Sequence, residues 1–509
     1  MIAVKGGARK ASKAKHGVAL SVVAGVLNVL VNIALFPLIV STIGAAQYGI
    51  WLFILVLGQF FFYSDLGIGS AIVYFASSAR GGNRIFSFDQ LISNGTAWAS
   101  AILVPALPVF VLIAYHYADT HASASGLDHE QTIGLVVIGG LLVSTMIIRP
   151  FESLLIGSGH LARNIANQVA GNALRTIGVV VFCLSDKGVV AIAAAEAAGL
   201  SLGPILAMIY VTRTRIALVR VADMAIRNVL GLFRYSLKTF AVDIVSVGAL
   251  SAGTIMVGII SGPAPAAYFA MAMKVYNGAG QVITWATAPA LPVFSQLWHA
   301  DVAKSKALVR DLLSTVATVS SVCILPIALS SPVWLPHWVG AEGVALGAGA
   351  CTVIVLIALM SNAILEPAVL ACDSFGRPGV AFLPQAVATG LFILLGIPLT
   401  HQYGIVGTAV SLAVALWVVQ PLWLVILSRT LEMSFRSDIL TCYRTPALVL
   451  LAGGTLAVFA DILDVFDLGI NEAWFTPVGF VLGAAAVVGA TSVGRDAIHG
   501  SRRLLEMPM

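Results

Sequence analysis

The feature that most constrains this chain is its series of apolar runs, each as long as the ~20 residues that an α-helix needs to cross a bilayer. Of its 509 residues, 59% are hydrophobic and only 10% are charged, whereas soluble domains carry about 25% charged residues. A chain of this composition cannot cover a water-exposed surface with charge, which excludes a soluble globular protein. The near balance of 28 Lys+Arg and 23 Asp+Glu gives no indication of nucleic-acid binding. The sequence therefore predicts an all-α polytopic membrane protein.

Fourteen apolar runs are bounded by charged or turn residues, and each is predicted to be a transmembrane helix. The first run is too long for the apolar core of a signal peptide, so it is predicted to be retained. The polar stretches between runs, the longest being 116–130, 213–230 and 429–440, are too short to hold a soluble domain. The predicted helices lie near 17–43, 49–76, 90–115, 131–156, 165–184, 188–212, 231–260, 266–290, 308–330, 344–370, 379–398, 403–428, 441–460 and 473–493.

The basic residues indicate the orientation of the chain, because cytoplasmic loops of membrane proteins collect Lys and Arg. With the N-terminus inside, 23 of the 28 basic residues fall in inside segments and one, Lys187, falls in an outside loop. This alternation holds at every span, so we expect an even number of helices and both termini in the cytoplasm. Four cations remain inside the predicted spans, namely Arg149, Arg175, Lys238 and Lys274.

The two halves of the chain resemble each other at a separation of about 215 residues, which indicates a six-plus-six duplication. The turn at Gly44 follows the first predicted helix as the turn at Gly262 follows the seventh, and Gly188 and Gly404 open the sixth and the twelfth. An even number of spans per repeat makes the repeats parallel, with a substrate site expected between the lobes near the midplane. The predicted domains are an N-lobe (1–212), a cytoplasmic amphipathic linker (213–230), a C-lobe (231–428), and two additional helices with a cytoplasmic tail (429–509).

The four intramembrane cations are the strongest candidates for substrate binding. A charge at a helix centre costs about 2.5 to 3.5 kcal/mol on insertion scales, so it usually faces a partner or a watery cavity. Arg175, Lys274, Arg149 and Lys238 together predict a cationic interior suited to a phosphate or pyrophosphate group. The alternatives are an i, i+3 pair between Arg149 and Glu152 and snorkelling of Lys238 to the inner interface.

Buried acids and amides form a second set of candidates. Asp65, Glu152, Asp243 and Glu366 are candidates for coupling transport to Na⁺ or H⁺, and Glu196 is a further buried acid. Asp65 is equally explained as a polar break in the second helix, and Glu366 as the partner of a cation from the other lobe. The amides of Asn28 and Asn32, four residues apart on the first helix, are candidates for hydrogen bonding to sugar. Such side chains are also ordinary contacts between membrane helices.

Other signals are weaker. The five cysteines show neither a disulfide framework nor zinc spacing, and the histidines near 116–129 lack the spacing of metal ligands. No nucleotide-binding loop or nucleophile elbow is present, so no cofactor, metal or catalytic residue is expected. The basic run from Arg213 to Arg234 alternates with apolar residues, which predicts an amphipathic helix on the anionic inner membrane surface.

Several segments together resemble a known family. These segments are STIGAAQYGIWLFIL and SDLGIGSAIVYFAS near the start, FESLLIGSGHLARNIANQVAGNALR, GPAPAAYFAMAMKVYNGAGQVITWATAPALPVFSQL, and SPVWLPHWVG. In order and spacing they resemble Wzx-type polysaccharide-biosynthesis flippases of the multidrug/oligosaccharidyl-lipid/polysaccharide (MOP) exporter superfamily, over nearly the whole chain. The first helix departs from the family pattern because Asn28 and Asn32 are its only polar groups.

The resemblance implies a fold and a function. The implied fold has two six-helix lobes around a central cavity, plus two C-terminal helices. The implied function is to move a polyprenyl-pyrophosphate-linked oligosaccharide from the cytoplasmic to the outer leaflet by alternating access, for cell-surface polysaccharide or lipopolysaccharide biosynthesis. Arg175 and Lys274 map onto the cations that hold the pyrophosphate. The implied location is the inner membrane, with a polysaccharide polymerase or glycosyltransferases as partners.

Three alternatives stay open at this stage. A lipid II flippase shares the architecture and differs only in its substrate. A drug or cation antiporter of the same superfamily also shares it, but its cavity should be acidic. A multi-span glycosyltransferase or polysaccharide polymerase would be an enzyme, and it should carry a large outer loop with catalytic residues.

Overall fold

The computed structural model describes residues 25, 31–63, 67–80, 85–225, 228, 230–233, 245, 251–287, 302–374 and 378–434. Within these residues the chain is all-α and forms no strand, as the sequence predicts. Thirteen helices are named below. They are α1 (Val31–Ile43), α2 (Ala45–Tyr63), α3 (Ile68–Arg80), α4 (Phe88–Ser125), α5 (His129–Ser144), α6 (Arg149–Gly157), α7 (Leu161–Leu184), α8 (Gly188–Arg213), α9 (Ser251–Ser261), α10 (Pro263–Thr287), α11 (Val302–Ala345), α12 (Ala348–Ser374) and α13 (Phe382–Leu431).

Five helical segments of the described chain are long and apolar enough to cross a membrane by themselves. Together with the shorter apolar helices they confirm the prediction of a multi-pass membrane protein. The five segments are Phe88–Ser125, His129–Gly157, Gly188–Arg213, Ala348–Cys372 and Gly379–Leu431. The two predicted C-terminal helices, 441–460 and 473–493, lie outside the described residues.

Several predicted spans contain a break. The predicted span 131–156 is α5, a 3-10 turn at Thr145–Ile148, and α6, whose second residue is Pro150. A proline near a helix start is favourable because its missing N–H has no intrahelical acceptor there. The predicted spans 379–398 and 403–428 are continuous in α13 except at Gly404, where φ is 56° and ψ is −136°.

The predicted ends of the spans 90–115 and 308–330 were wrong. The second of these spans continues in α11 to Ala345, with a non-helical backbone conformation at Gly340. The polar stretch 116–130 was expected to be an outside loop, but α4 continues through its first ten residues and ends at Ser125. Gly126 then takes a left-handed conformation with φ 70° and caps the helix, and Asp128 caps the start of α5 through the amide of Gln131. The helix runs on because no glycine or proline precedes Gly126 in this stretch. The connection between α4 and α5 is therefore only three residues long.

The chain divides into two compact units, Met1–Ala270 and Met271–Met509. The first unit contains α9 and the start of α10 as well as α1–α8, and the hydroxyl of Tyr117 on α4 donates to the carbonyl of Gly258 on α9. The domain limits proposed from the sequence stay predictions.

The turns that suggested an internal repeat share positive φ angles. Gly44 and Gly262, 218 residues apart, have φ angles of 80° and 95°, and Gly188 and Gly404, 216 residues apart, have φ angles of 77° and 56°. At all four positions a Cβ would meet nothing within 4 Å, so glycine is needed for its conformation and not for space. The same two turns therefore recur in the same order along the second half of the sequence.

Candidate functional site

A buried polar network in the first unit is centred on Arg175 of α7. The guanidinium donates to Glu196 Oε1 on α8 from Nη2 at 2.6 Å and from Nε at 3.2 Å. Its Nη1 donates to Asn32 Oδ1 on α1 at 2.7 Å. Arg175 and Glu196 form an ion pair whose side chains are 13% and 1% exposed, respectively. One intramembrane cation thus ties together three helices.

Two aromatic side chains of α2 also bind the Glu196 carboxylate. Trp51 Nε1 donates to Glu196 Oε2 at 2.6 Å, and the Tyr48 hydroxyl forms a side-chain hydrogen bond with the same carboxylate. Tyr48, Trp51 and Glu196 are fully buried. A buried carboxylate must be hydrogen-bonded as well as paired to offset its desolvation cost, and Glu196 meets this requirement on both oxygens.

Small residues let α7 and α8 approach closely enough to form this pair. An ideal Cβ at Gly171 would lie 2.5 Å from the carbonyl oxygen of Gly199, and one at Gly199 would lie 2.8 Å from the Cα of Arg175. Farther along, a Cβ at Gly178 would lie 2.9 Å from that of Ala195. Stripes of small residues are the usual means of close helix contact in membranes. The contact places the Arg175 side chain directly against α8.

The guanidinium keeps hydrogen-bonding capacity beyond these contacts. Arginine has five N–H donors arranged in a planar fork. Glu196 accepts from the edge formed by Nε and Nη2, and Asn32 accepts from one N–H of Nη1. The edge formed by Nη1 and Nη2 has the geometry that binds phosphate or carboxylate in a bidentate manner. The arrangement can therefore hold an anion on one edge of Arg175 while Glu196 fixes the other.

Arg149 and Glu152 lie on α6 but do not form an ion pair with each other within the described part of the chain. Arg149 is exposed at the helix start and lines a small cavity together with Gly95, Trp98 and Met146. Glu152 instead faces α8, since its Oε1 lies 3.3 Å from the position of a Cβ at Gly203. The i, i+3 pair considered from the sequence does not form a direct ion pair, although the two charges attract each other.

The second unit brings polar groups of α10 and α12 together. Thr284 Oγ1 of α10 donates to Glu366 Oε1 of α12 at 3.5 Å, and Asn362 Nδ2 donates to the Tyr276 hydroxyl at 3.2 Å. Lys274 lies on α10 within the same unit and is half-buried. The structure thus places Lys274 and Glu366, both predicted site residues, on two helices that share polar contacts.

Four predicted site residues lie outside the described residues: Asn28, Asp65, Lys238 and Asp243. Sequence reasoning also missed the roles of Tyr48 and Trp51, and it did not pair Glu196 with Arg175. The pairing of Arg175 with Glu196 could have been predicted, because the two residues are almost equally distant in sequence from the turn at Asp186. Residues equidistant from the turn of an antiparallel helical hairpin lie at the same depth, here about 15 Å at 1.5 Å per residue.

No family model and no curated protein matches the chain. Among solved structures, it is similar to the lipid II flippase MurJ in an inward closed conformation, with a TM-score of 0.67 and 13% identity over 97% of this chain and 99% of that one. It is also similar to an inward-facing multidrug resistance MATE family transporter of the MOP superfamily, with a TM-score of 0.64 and 14% identity over 80% of this chain and 94% of that one.

A third similar structure is a Vibrio cholerae MATE transporter, with a TM-score of 0.55 and 14% identity over 83% of this chain and 98% of that one. At these identities the likeness establishes the fold. The chain has the fold of these transporter structures, as the resemblance in sequence implies.

Proposed function

We propose that the protein is a flippase that moves a polyprenyl-pyrophosphate-linked oligosaccharide from the cytoplasmic to the outer leaflet by alternating access. The observation that carries the proposal is the fixed guanidinium of Arg175 inside the membrane. The substrate class follows from its chemistry, because a planar guanidinium is suited to bidentate contact with phosphate oxygens. The proposed product serves cell-surface polysaccharide or lipopolysaccharide biosynthesis.

In the proposed mechanism, Glu196 orients Arg175 and the pyrophosphate binds to the edge that Glu196 does not occupy. Binding by oriented N–H donors in a low-dielectric site is stronger than the same contacts in water. Asn32, which now accepts from Nη1, would exchange with a phosphate oxygen and become available to sugar together with Asn28. The lipid tail stays in the bilayer while the headgroup crosses.

The other cations and the acids receive roles in the same proposal. Arg149, Lys238 and Lys274 are proposed to contact the pyrophosphate at other stages of the cycle. Glu152, Glu366, Asp65 and Asp243 are candidates for coupling to Na⁺ or H⁺. The proposed location is the inner membrane with both termini cytoplasmic, where a polysaccharide polymerase or glycosyltransferases would be partners.

A lipid II flippase is the second candidate. It is favoured by the nearly full-length match to a structure of that name, whereas the two MATE structures cover 80% and 83% of this chain. Both candidates share the pyrophosphate, so Arg175 serves either one. The two candidates differ in the sugar of the substrate and in the cellular process that would stop if the protein were lost.

The experiment is to deplete the protein and follow lipid-linked intermediates separately in the two leaflets. We expect the oligosaccharide-linked lipid to accumulate on the cytoplasmic side, while lipid II continues to reach the outer leaflet. Accumulation of lipid II instead would assign the second candidate. If both intermediates reach the outer leaflet at the normal rate, neither flippase function is correct.

A further inference from the structure

The segment that follows α8, residues 214–225, is here called the strap. It was predicted to be part of an amphipathic helix, but it is irregular except for a 3-10 turn at Val221–Asp223. The strap crosses the beginning of α4. Its conformation is explained by the side chains that α4 presents to its backbone.

Asp89 and Ser93 of α4 hold the middle of the strap. Asp89 Oδ1 accepts from the amide of Leu218 at 2.8 Å, and Ser93 Oγ accepts from the amide of Arg220 at 2.9 Å. The other oxygen of Asp89 lies 3.5 Å from Arg220 Nη1. These amides would otherwise need helical partners, so the contacts with α4 replace an α-helix in this part of the strap.

Asn94 of α4 holds the end of the strap. Its Oδ1 accepts from the amide of Ala225 at 2.9 Å, and its Nδ2 donates to the carbonyl of Asp223 at 2.9 Å. The Asn94 side chain is fully buried. An amide that both donates to and accepts from one backbone segment fixes its position in two directions, so the strap is a preorganised surface.

The two sides of the strap differ in character. Ala217 is fully buried and belongs to an apolar cluster with Ile92 of α4 and Val211 of α8. On the opposite side, Val219 and Val221 are 46% and 82% exposed. Arginines flank and separate these valines. Arg213, Arg215 and Arg220 are all exposed.

We place the strap at the membrane boundary because it follows the end of α8 and contacts the start of α4, and both helices are long and apolar enough to cross a membrane. Exposed valines at this level can enter the boundary between headgroups and acyl chains, while neighbouring arginines reach the phosphates. The strap holds one acid, Asp223, and Asp89 of α4 pairs with Arg220. Arg213 at the end of α8 and Arg215 in the strap form no ion pair with a described residue.

We propose that the strap is a binding site for anionic phospholipids of the leaflet that it borders. Arg213 and Arg215 bind the headgroup phosphates, and Val219 and Val221 anchor the strap in the interface. This site is separate from the Arg175 network, and it does not depend on which substrate the protein transports.

The test is a titration of fluorescent phosphatidylglycerol, and separately of phosphatidylcholine, into the purified full-length protein in uncharged detergent. We expect wild type to prefer phosphatidylglycerol, and 0.5 M salt to remove most of the preference. Arg213→Gln or Arg215→Gln should each weaken phosphatidylglycerol binding about fivefold. This factor corresponds to the ~1 kcal/mol that one basic residue contributes near an anionic membrane surface. Val221→Ser should weaken the binding of both lipids.

The matched control is Lys187→Gln, which removes an exposed cation from the opposite end of α8. Its phosphatidylglycerol affinity should equal that of wild type. The proposal is overturned if Arg213→Gln, Arg215→Gln and Lys187→Gln bind phosphatidylglycerol equally, or if the lipid preference persists unchanged in high salt. Because no transport substrate is present in this titration, neither result tests the flippase proposal, which the depletion experiment tests separately.

Discussion

At the residue scale, the central fact is that Arg175 and Glu196 neutralise each other within the membrane. Breaking a buried ion pair by removing one charge typically costs about 3–5 kcal/mol, because the remaining charge is left uncompensated. Replacing both charges with neutral polar groups avoids most of that cost. The contribution of the pair to stability can therefore be measured separately from its contribution to transport.

We expect Glu196→Gln to lower the melting temperature of the purified protein strongly, and Arg175→Gln to do the same. The double variant Arg175→Gln/Glu196→Gln should be more stable than either single variant, because no charge remains to be compensated. If Arg175 holds phosphate, this stabilised double variant should still fail to move the lipid-linked oligosaccharide. The measurements are thermal unfolding and leaflet-resolved lipid analysis on the same three variants.

Two results would contradict this account. Additive losses of stability in the double variant would show that the two charges are not coupled. Normal transport by a well-folded double variant would remove Arg175 from the substrate site.

How much of this site could be predicted from the sequence follows from the same residues. The insertion cost of charge singled out Arg175 and Glu196 individually, because that cost depends only on a residue lying within an apolar run. Their pairing, and the contacts of Tyr48 and Trp51 with Glu196, depend on which faces of three helices meet. A helix that is apolar on every face can pack against its neighbours with any of them. Its sequence therefore carries little information about which of its residues contact another helix.

At the element scale, the contact between α7 and α8 depends on glycine. A Cβ at Gly199 would lie 2.8 Å from both the Cα of Arg175 and the carbonyl oxygen of Gly171. Both neighbours are backbone atoms, so only a separation of the helices would relieve the overlap.

We expect Gly199→Ala to destabilise the protein by about 1–3 kcal/mol, the usual cost of overpacking, and to weaken the Arg175–Glu196 pair. Thermal unfolding measures the first effect. The matched control is Gly390→Ala on α13, where a Cβ would meet nothing within 4 Å. That substitution should be neutral or stabilising, since alanine favours a helix by up to about 1 kcal/mol over glycine. Equal melting temperatures for the two variants would show that the close contact does not limit the stability of the hairpin.

The elements also show where sequence patterns succeed and where they fail. Hydrophobic runs and glycine turns located the ends of α7 and α8 within a few residues, because the bilayer imposes the length of a span. The same reasoning predicted a helix for the strap, whose alternation of basic and apolar residues suits one. It failed there because Asp89, Ser93 and Asn94, more than a hundred residues earlier, supply the hydrogen-bond partners for the strap backbone.

At the scale of the whole molecule, the orientation of the chain can be tested at one helix. The helix α8 contains 26 residues, about 39 Å at 1.5 Å per residue, so its two ends must lie on opposite sides of a hydrocarbon core of about 30 Å. Lys187 precedes this helix and Thr214 follows it, and both side chains are exposed. The distribution of Lys and Arg predicts that Lys187 is outside and Thr214 is cytoplasmic.

We expect Lys187→Cys to react with a membrane-impermeant maleimide on intact cells, and Thr214→Cys to react only after the cells are permeabilised. Both variants are made in a background in which the five native cysteines are replaced by serine, and that background alone is the control for unspecific labelling. The opposite labelling pattern would show that the predicted orientation is reversed and that the basic strap lies on the outer side of the membrane. Because successive spans cross the membrane in opposite directions, the result at α8 fixes the orientation of all the remaining spans. The orientation also decides which leaflet supplies lipid to the strap and from which side a pyrophosphate can first approach Arg175.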